Sequence, residues 1–393
     1  MPILTKEQIE TYRRDGILVI DEILTPIQLQ AAQEGLHKTL LHHQVDTNNL
    51  PATAHHLQKL SSTNGSGGVL DLFYPRFKLD IGCNERLFRA TAQLWEAAYC
   101  HNGESEEEMI SRDKHYMYHP FGAFDCDRGF MYVDRLGYRC PTKLAEEVGA
   151  KIQASQQSLL VLDEKNHPQK TKKSKRKNAA IQRSLTPHLD CCPDTYYSSD
   201  KSKWRPIQCF VSLTDNMEPN TGGFEAAPGF HHKFHQWTKE RPPSTLTKRD
   251  EKTGAKSQVE VSAPCIGEYT HIRPKEDGQV MKSVQHIPVR AGSAVFWDNR
   301  ICHANAYTNE SDVARAVVYC SFLPDVPVNR VYAEKQLEDY TKRKFPRDQW
   351  INIADDDDDD DDSNNNMEEE CHDGEYEYNF SDLGRKLMKI EDW

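Results

Sequence analysis

The spacing of apolar residues changes character along the chain. The first hundred residues carry helical periodicity. Thr5 with Gln8 makes a capping-box pattern, Ile9 and Tyr12 follow at helical spacing, and Gly16 supplies a stop. The apolar run Ile17–Ile20 then predicts a buried strand. A second helix opens at Thr25, with Pro26 at its first position and Gln28 closing another box; Leu29, Ala32, Leu36 and Leu40 form its apolar face. A third is predicted from Asn84 to Tyr99, with Leu87, Ala90, Leu94 and Ala97 on one side. Beyond Ile181 the pattern becomes short apolar runs between turn signals: 207–213, 224–227, 284–289, 294–297 and 314–322. That spacing predicts a β sandwich or barrel.

Polar stretches interrupt the pattern. Residues 44–68, rich in Asn, Thr, Ser and Gly, predict a mobile loop, while 163–180 and 238–258 predict polar insertions. From Ala354 the composition predicts disorder. Leu383, Leu387 and Ile390 return to helical spacing ahead of Trp393, which predicts a short terminal helix. The expected organisation is one domain over 1–350 with three insertions, followed by an acidic region over 351–393.

Charge sharpens that division. The formal net charge of −12 is concentrated in Asp355–Glu377, which holds nine Asp and five Glu and no base. Residues 378–393 are neutral, leaving +2 for residues 1–354, where Lys170–Lys177 (KTKKSKRK) alone supplies +6. The body is therefore nearly balanced. The basic block suits a nuclear localisation signal or a solvated insertion, and without interleaved aromatics it gives no reason to expect nucleic acid as substrate. The acidic tract suits a basic protein partner, a fold-back onto the basic block, or a solubilising tail. No run approaches the ~18 apolar residues of a membrane span, and the N-terminus lacks the pattern of a secretory signal. Eleven cysteines without a CxxC pair predict reduced thiols. A cytoplasmic or nuclear protein is expected, not a secreted one.

Candidate chemistry lies in Ser184–Asp190, where His188-x-Asp190 on a strand would turn an imidazole and a carboxylate to one face. A turn, a strand and His303 at its far end follow in 288–303, and Arg315 opens the next apolar run. Two His and one carboxylate leave open positions on an octahedral metal, as in non-heme Fe(II) oxygenases. An Arg on the next strand suits a distal carboxylate.

These residues carry a resemblance. LTKEQIETYRRDGILVIDEILTPIQLQAA, TPHLD, QCFVSLTDNMEPNTGGFEAAPGFHH and VRAGSAVFWDNRICHANAYTNESDVARA, in that order, resemble the phytanoyl-CoA dioxygenase family of Fe(II)/2-oxoglutarate oxygenases. The resemblance implies a mainly β fold with flanking α: a double-stranded β-helix (jelly-roll, cupin-like) core under an N-terminal helical layer. It implies His188, Asp190 and His303 as metal ligands, Arg315 on the far carboxylate of 2-oxoglutarate, and Asn305 where the family often has a small hydroxyl side chain. The implied enzyme hydroxylates an aliphatic carbon of a small-molecule or acyl substrate, using O₂, releasing succinate and CO₂, with ascorbate as an auxiliary reductant. Asp190 favours hydroxylation over halogenation, because halogenases of the family lack that carboxylate. A protein side-chain hydroxylase and a non-catalytic jelly-roll binding protein are the alternatives.

Blander roles compete at several positions. Arg315 could pair with Asp312 or Glu310 at the surface. His231, His232 and His235 read as loop residues after Pro228-Gly229, and Cys191–Cys192 as small buried hydrophobes. Tyr132, Arg135, Tyr138 and Arg139 lie where such folds place an early core strand.

Overall fold

A computed structural model describes residues 2–61, 63, 65–100, 104–111, 114–164, 180–242, 244–249, 256–261, 265–266, 268–346 and 378–393. The basic block and the acidic tract lie outside the described residues.

The N-terminal layer follows its local signals. Helix Lys6–Asp15 starts at Thr5 and helix Pro26–His42 at Thr25; each has both arms of its capping box, and Gly16 ends the first in the left-handed region (φ 67°). Between them lies strand β1 (Ile17–Ile20). Helix Glu85–Ala98 is capped by Asn84, whose side chain accepts from the Leu87 amide, and its buried face includes Leu87, Ala90, Leu94 and Ala97.

Further along come β2 (Val69–Leu70), β3 (Gly129–Arg139), β4 (Leu185–Leu189), β5 (Ile207–Ser212) and β6 (Phe224–Ala226). A hairpin of β7 (Ser244–Arg249) and β8 (Lys256–Val261) pairs only with itself, and then β9 (Cys265–Ile266) and β10 (Tyr269–His271) lead to β11 (Gln285–His286). The last strands are β12 (Ala294–Asp298), β13 (His303–Asn305) and β14 (Arg315–Pro324). They form two six-stranded sheets, β1-β12-β5-β14-β3-β2 and β11-β6-β13-β4-β10-β9, with every ladder antiparallel. From β3 to β6, and again from β11 to β14, the chain alternates between the sheets.

Strand alternation divides the core. Phe210, Val295, Trp297 and Val317 of the first sheet meet Leu189, Phe224 and Ala226 of the second. Their neighbours Val211, Ala294, Phe296 and Val318 point the other way and pack with Tyr12, Leu87, Leu94 and Trp95 of the helical layer. The period of two in a strand lets one sheet serve both cores.

Three expectations change. Residues 44–68 are not simply a loop: helix Leu50–Thr53 and a 3₁₀ turn over Ala54–Leu60 bury Ala54, Leu57 and Leu60. The described part of 238–258 ends helix Phe230–Glu240 and supplies β7 and β8. The thiols are not all reduced, because Cys192 and Cys265 form a disulfide joining the segment after β4 to edge strand β9. Cys191, by contrast, is a free, buried thiol. Helices Thr142–Glu164 and Pro327–Thr341 stand outside the elements read from the pattern.

The C-terminal residues fold back onto the body. Helix Asp382–Leu387 starts at Ser381, buries Leu387 and leads to buried Met388. The Trp393 indole stacks on Phe88 at 5.5 Å and donates to the Gly129 carbonyl at 2.8 Å. Among the described residues no helix is long and apolar enough to cross a membrane.

Candidate metal centre and its cavity

The site begins with one cross-strand pair. β4 and β13 are antiparallel neighbours in which His188 faces His303, so side chains 115 residues apart in sequence emerge side by side with ring centroids 4.3 Å apart. Asp190 lies one residue past the end of β4, in a bend rather than on the strand itself. That bend still turns its carboxylate back to the imidazoles. His188 Nε2 lies 3.5 Å from one Asp190 oxygen and His303 Nε2 lies 3.5 Å from the other. His188, Asp190 and His303 form a group able to hold a metal ion, their ligand atoms within 4.8 Å of one another.

Backbone carbonyls orient both imidazoles. His188 Nδ1 is 2.8 Å from the Thr186 carbonyl, and His303 Nδ1 is 3.0 Å from the Ile301 carbonyl. A carbonyl only accepts, so each Nδ1 carries the hydrogen and each Nε2 keeps its lone pair for a metal. Burial, reinforced by neighbouring His303, pushes the His188 pKa down to about 4, so this ring is neutral at ordinary pH. Burial alone would raise the Asp190 carboxyl, but the His303 hydrogen bond and the charges of His188, His303 and Arg205 hold it below the usual carboxylate range.

The loop between β12 and β13 braces the group. Asn299 Nδ2 donates to the Asp190 carbonyl at 3.2 Å, and Gln208 on β5 donates to the Asn299 side-chain oxygen at 2.7 Å. Asp298 and Arg300 form a buried ion pair at 2.6 Å, with Tyr99 donating to Asp298 at 2.5 Å. This network fixes the turn that delivers His303.

A cavity of about 520 Å³ opens on the triad. Asn305 lines it beside Leu185, Phe224 and Trp297. Arg315 is not itself a lining residue; it shares a strand and a face with Tyr319, which is, four positions further on. Its guanidinium is 2% exposed, stands over the Phe210 ring at 5.2 Å, and has no ion pair with Asp312 or Glu310. Nη1 and Nη2 lack a hydrogen-bond partner among the described residues. Burial lowers its pKa, and the Tyr319 hydroxyl partly counters that. Arg139, opposite Arg315 in the β3–β14 register, is also buried and has an unpartnered Nη1; burial and then Arg315 itself push its pKa down to about 10. Buried donors on two cations without an anion between them are costly, and a carboxylate is the group they fit.

The residues matched to the Gig2-like family model run from 114 to 373 and contain the triad and Arg315. The chain belongs to the Gig2-like family. Among solved structures, GlcNAc Inducible Gene 2 from Candida albicans is similar at 12% identity and a TM-score of 0.59, over 99% of this chain and 77% of that one. A Salmonella typhimurium LT2 protein is similar at 14% identity and a TM-score of 0.53, over 88% and 76%. These likenesses concern the fold. Neighbours also include the epimerase SnoN, solved with Fe³⁺, alpha ketoglutarate and nogalamycin RO, at 13% identity over 81% of this chain and 82% of that one. Its TM-score of 0.40 is too low to carry weight. No curated protein sequence matches the chain.

His231, His232 and His235 stand apart from the triad. They lie on helix Phe230–Glu240, where His231 and His232 Nε2 contact the Arg13 carbonyl at 3.1 and 2.9 Å. The cavity wall also holds charged residues without a sequence motif: Asp134, Lys203, Arg205 and Glu268. Lys203 and Arg205 lie in a polar stretch just ahead of β5, and only the tertiary fold turns them inward.

Proposed function

We propose that the protein is an Fe(II)- and 2-oxoglutarate-dependent dioxygenase built on a double-stranded β-helix, in line with the phytanoyl-CoA dioxygenase resemblance. Alternation of successive strands between β12-β5-β14-β3 and β11-β6-β13-β4 supports that reading of the sheets. One observation carries the function: two imidazoles, each oriented by a backbone carbonyl at Nδ1, present Nε2 to the two oxygens of one carboxylate in the wall of a cavity. Two nitrogens and one oxygen suit Fe(II) with open positions. When bound, the metal supplies O₂ activation coupled to decarboxylation of 2-oxoglutarate, one oxygen atom entering succinate and the other the hydroxylated substrate.

The chain's own residues do the rest. His188 and His303 hold their lone pairs in place through Nδ1–H bonds to backbone carbonyls, and Asp190 adds the negative ligand. Arg315 is the cosubstrate anchor, its paired Nη donors matching a carboxylate. Asn305 lines the cavity and can donate into it. Trp297 and Phe224 wall the site with apolar surface that excludes water. The reading takes a small-molecule substrate, because the triad lines a cavity of about 520 Å³, and hydroxylation at an aliphatic carbon, as the family resemblance implies.

A direct test incubates the full chain with Fe(II), O₂ and 2-oxoglutarate, with and without fractionated cell extract, and measures succinate. Extract-dependent succinate that disappears in Asp190→Ala is the expected result. Succinate formation at equal rates in wild type and Asp190→Ala contradicts the assignment.

A further inference from the structure

One wall of the cavity is charged, and neither the metal nor the oxo acid accounts for it. Lys203 and Arg205 sit two residues apart in an extended segment ahead of β5. Both lie over the ring of Tyr132, at 5.4 and 4.4 Å. Their side chains are only 2% and 9% exposed. Each has an acid nearby: Lys203 Nζ is 3.4 Å from Glu268 and Arg205 Nη1 is 3.1 Å from Asp134. Those acids balance the charge of the two bases. Arg205 Nε is buried and has no hydrogen-bond partner. A buried guanidinium donor left unpaired costs free energy that a ligand can recover.

The place of this donor is informative. Arg205 and Asp190 line the same cavity, so the guanidinium shares the space onto which the metal-binding carboxylate opens. Three acids (Asp134, Asp190, Glu268) and three bases (Arg135, Lys203, Arg205) line the cavity and balance one another. A divalent cation and the dianionic oxo acid cancel each other, so the loaded cavity keeps that balance. The two carboxylates of the oxo acid are met by the metal and by Arg315 beside Arg139, on other strands, which leaves the Arg205 wall for a different anion.

The geometry points to a substrate that is a small organic oxyanion, carrying a carboxylate or a phosphate that pairs with the Arg205 guanidinium and is drawn by Lys203. The tethered end sets the remainder of the molecule against the triad. This inference rests on the proposed dioxygenase reading for its chemistry, but the binding it describes is measurable without turnover. Asp134 is a positioning residue here, holding the Arg205 guanidinium at the cavity wall through Nη1.

Three compounds sharing one alkyl chain provide the test: hexanoate, hexyl phosphate and hexanamide. Each is titrated calorimetrically into the full chain loaded anaerobically with Fe(II) and 2-oxoglutarate, and into the metal-free chain. At least one of the two anions is expected to bind the loaded protein at least tenfold more tightly than the amide. Preference for hexanoate identifies a carboxylate and preference for hexyl phosphate a phosphate. Arg205→Gln is expected to weaken the preferred anion by roughly 10- to 100-fold, the range for a charge-assisted hydrogen bond. The affinity for 2-oxoglutarate in that variant stays within about twofold of wild type, which also reports that it folds. Arg205→Lys restores part of the loss. Equal binding of the amide and the anions, no binding by any of the three, or an Arg205→Gln effect confined to 2-oxoglutarate overturns the inference. Anion-selective binding by a chain that fails to bind Fe(II) and 2-oxoglutarate together would instead remove the dioxygenase reading and leave this one standing.

Discussion

A guanidinium buried without a counter-ion costs several kcal/mol, and Arg315 is held that way with two unpartnered Nη groups. Such a group destabilises the empty protein and favours the loaded one. Arg315→Gln should therefore weaken 2-oxoglutarate by roughly 10- to 100-fold while leaving Fe(II) affinity and the melting temperature of the empty protein undiminished. Calorimetry and thermal unfolding check the two halves separately. His188 gives a pH signature of the same kind. Its pKa is about 4 in the fold, against about 6.5 for a free imidazole. Because the folded value is depressed, unfolding takes up a proton between the two, so the contribution is complete above pH 6.5 and fades as the pH falls towards 4. Urea titrations of the metal-free protein should show stability declining across that window, and His188→Gln should flatten the slope. The triad was legible in the sequence because a short motif and a downstream His in a strand context carry their chemistry locally. Arg205 and Glu268 were not, since their role comes from tertiary placement that no local pattern encodes.

Elements differ in how far the chain announces them. The two capping boxes and the Asn84 cap are local hydrogen-bond signals, and the helices they predict begin at Thr5, Thr25 and Asn84. Segment 44–68 misleads because its polar composition hides three inward anchors, Ala54, Leu57 and Leu60, while Thr63 and Ser66 face the cavity. The run 284–289 contributes only the two-residue strand β11, formed by its polar residues Gln285 and His286, and Pro288 has no amide hydrogen to extend the ladder. The C-terminal element lies farthest from the metal yet belongs to the packed body. Trp393 and Leu387 bury against the helical layer and β3, so removal of 378–393 should lower the melting temperature. Trp393→Ala alone should cost about 2–3 kcal/mol, below the full range for a buried aromatic because the indole is partly exposed. Chemical denaturation of both variants measures this, and an unchanged midpoint would show that the docking contributes nothing.

At the scale of the molecule, two sheets trap an apolar core and leave a cavity. Its lining holds the triad and a salt-bridged wall ahead of β5, while Arg139 on β3 and Arg315 on β14 face each other in register and are buried outside that lining. The β texture beyond Ile181 was visible as short apolar runs, whereas the crossing order of the strands was not, because register and sheet membership depend on contacts far apart in sequence. The claim that unites these features is that one metal and one oxo acid occupy the site together. Under anaerobic conditions, Fe(II) with 2-oxoglutarate should give a weak visible charge-transfer band that saturates at one equivalent of each, is absent in His188→Ala, and needs much more oxo acid in Arg315→Gln. A protein that binds Fe(II) without developing the band, or a band that survives His188→Ala unchanged, would contradict the account.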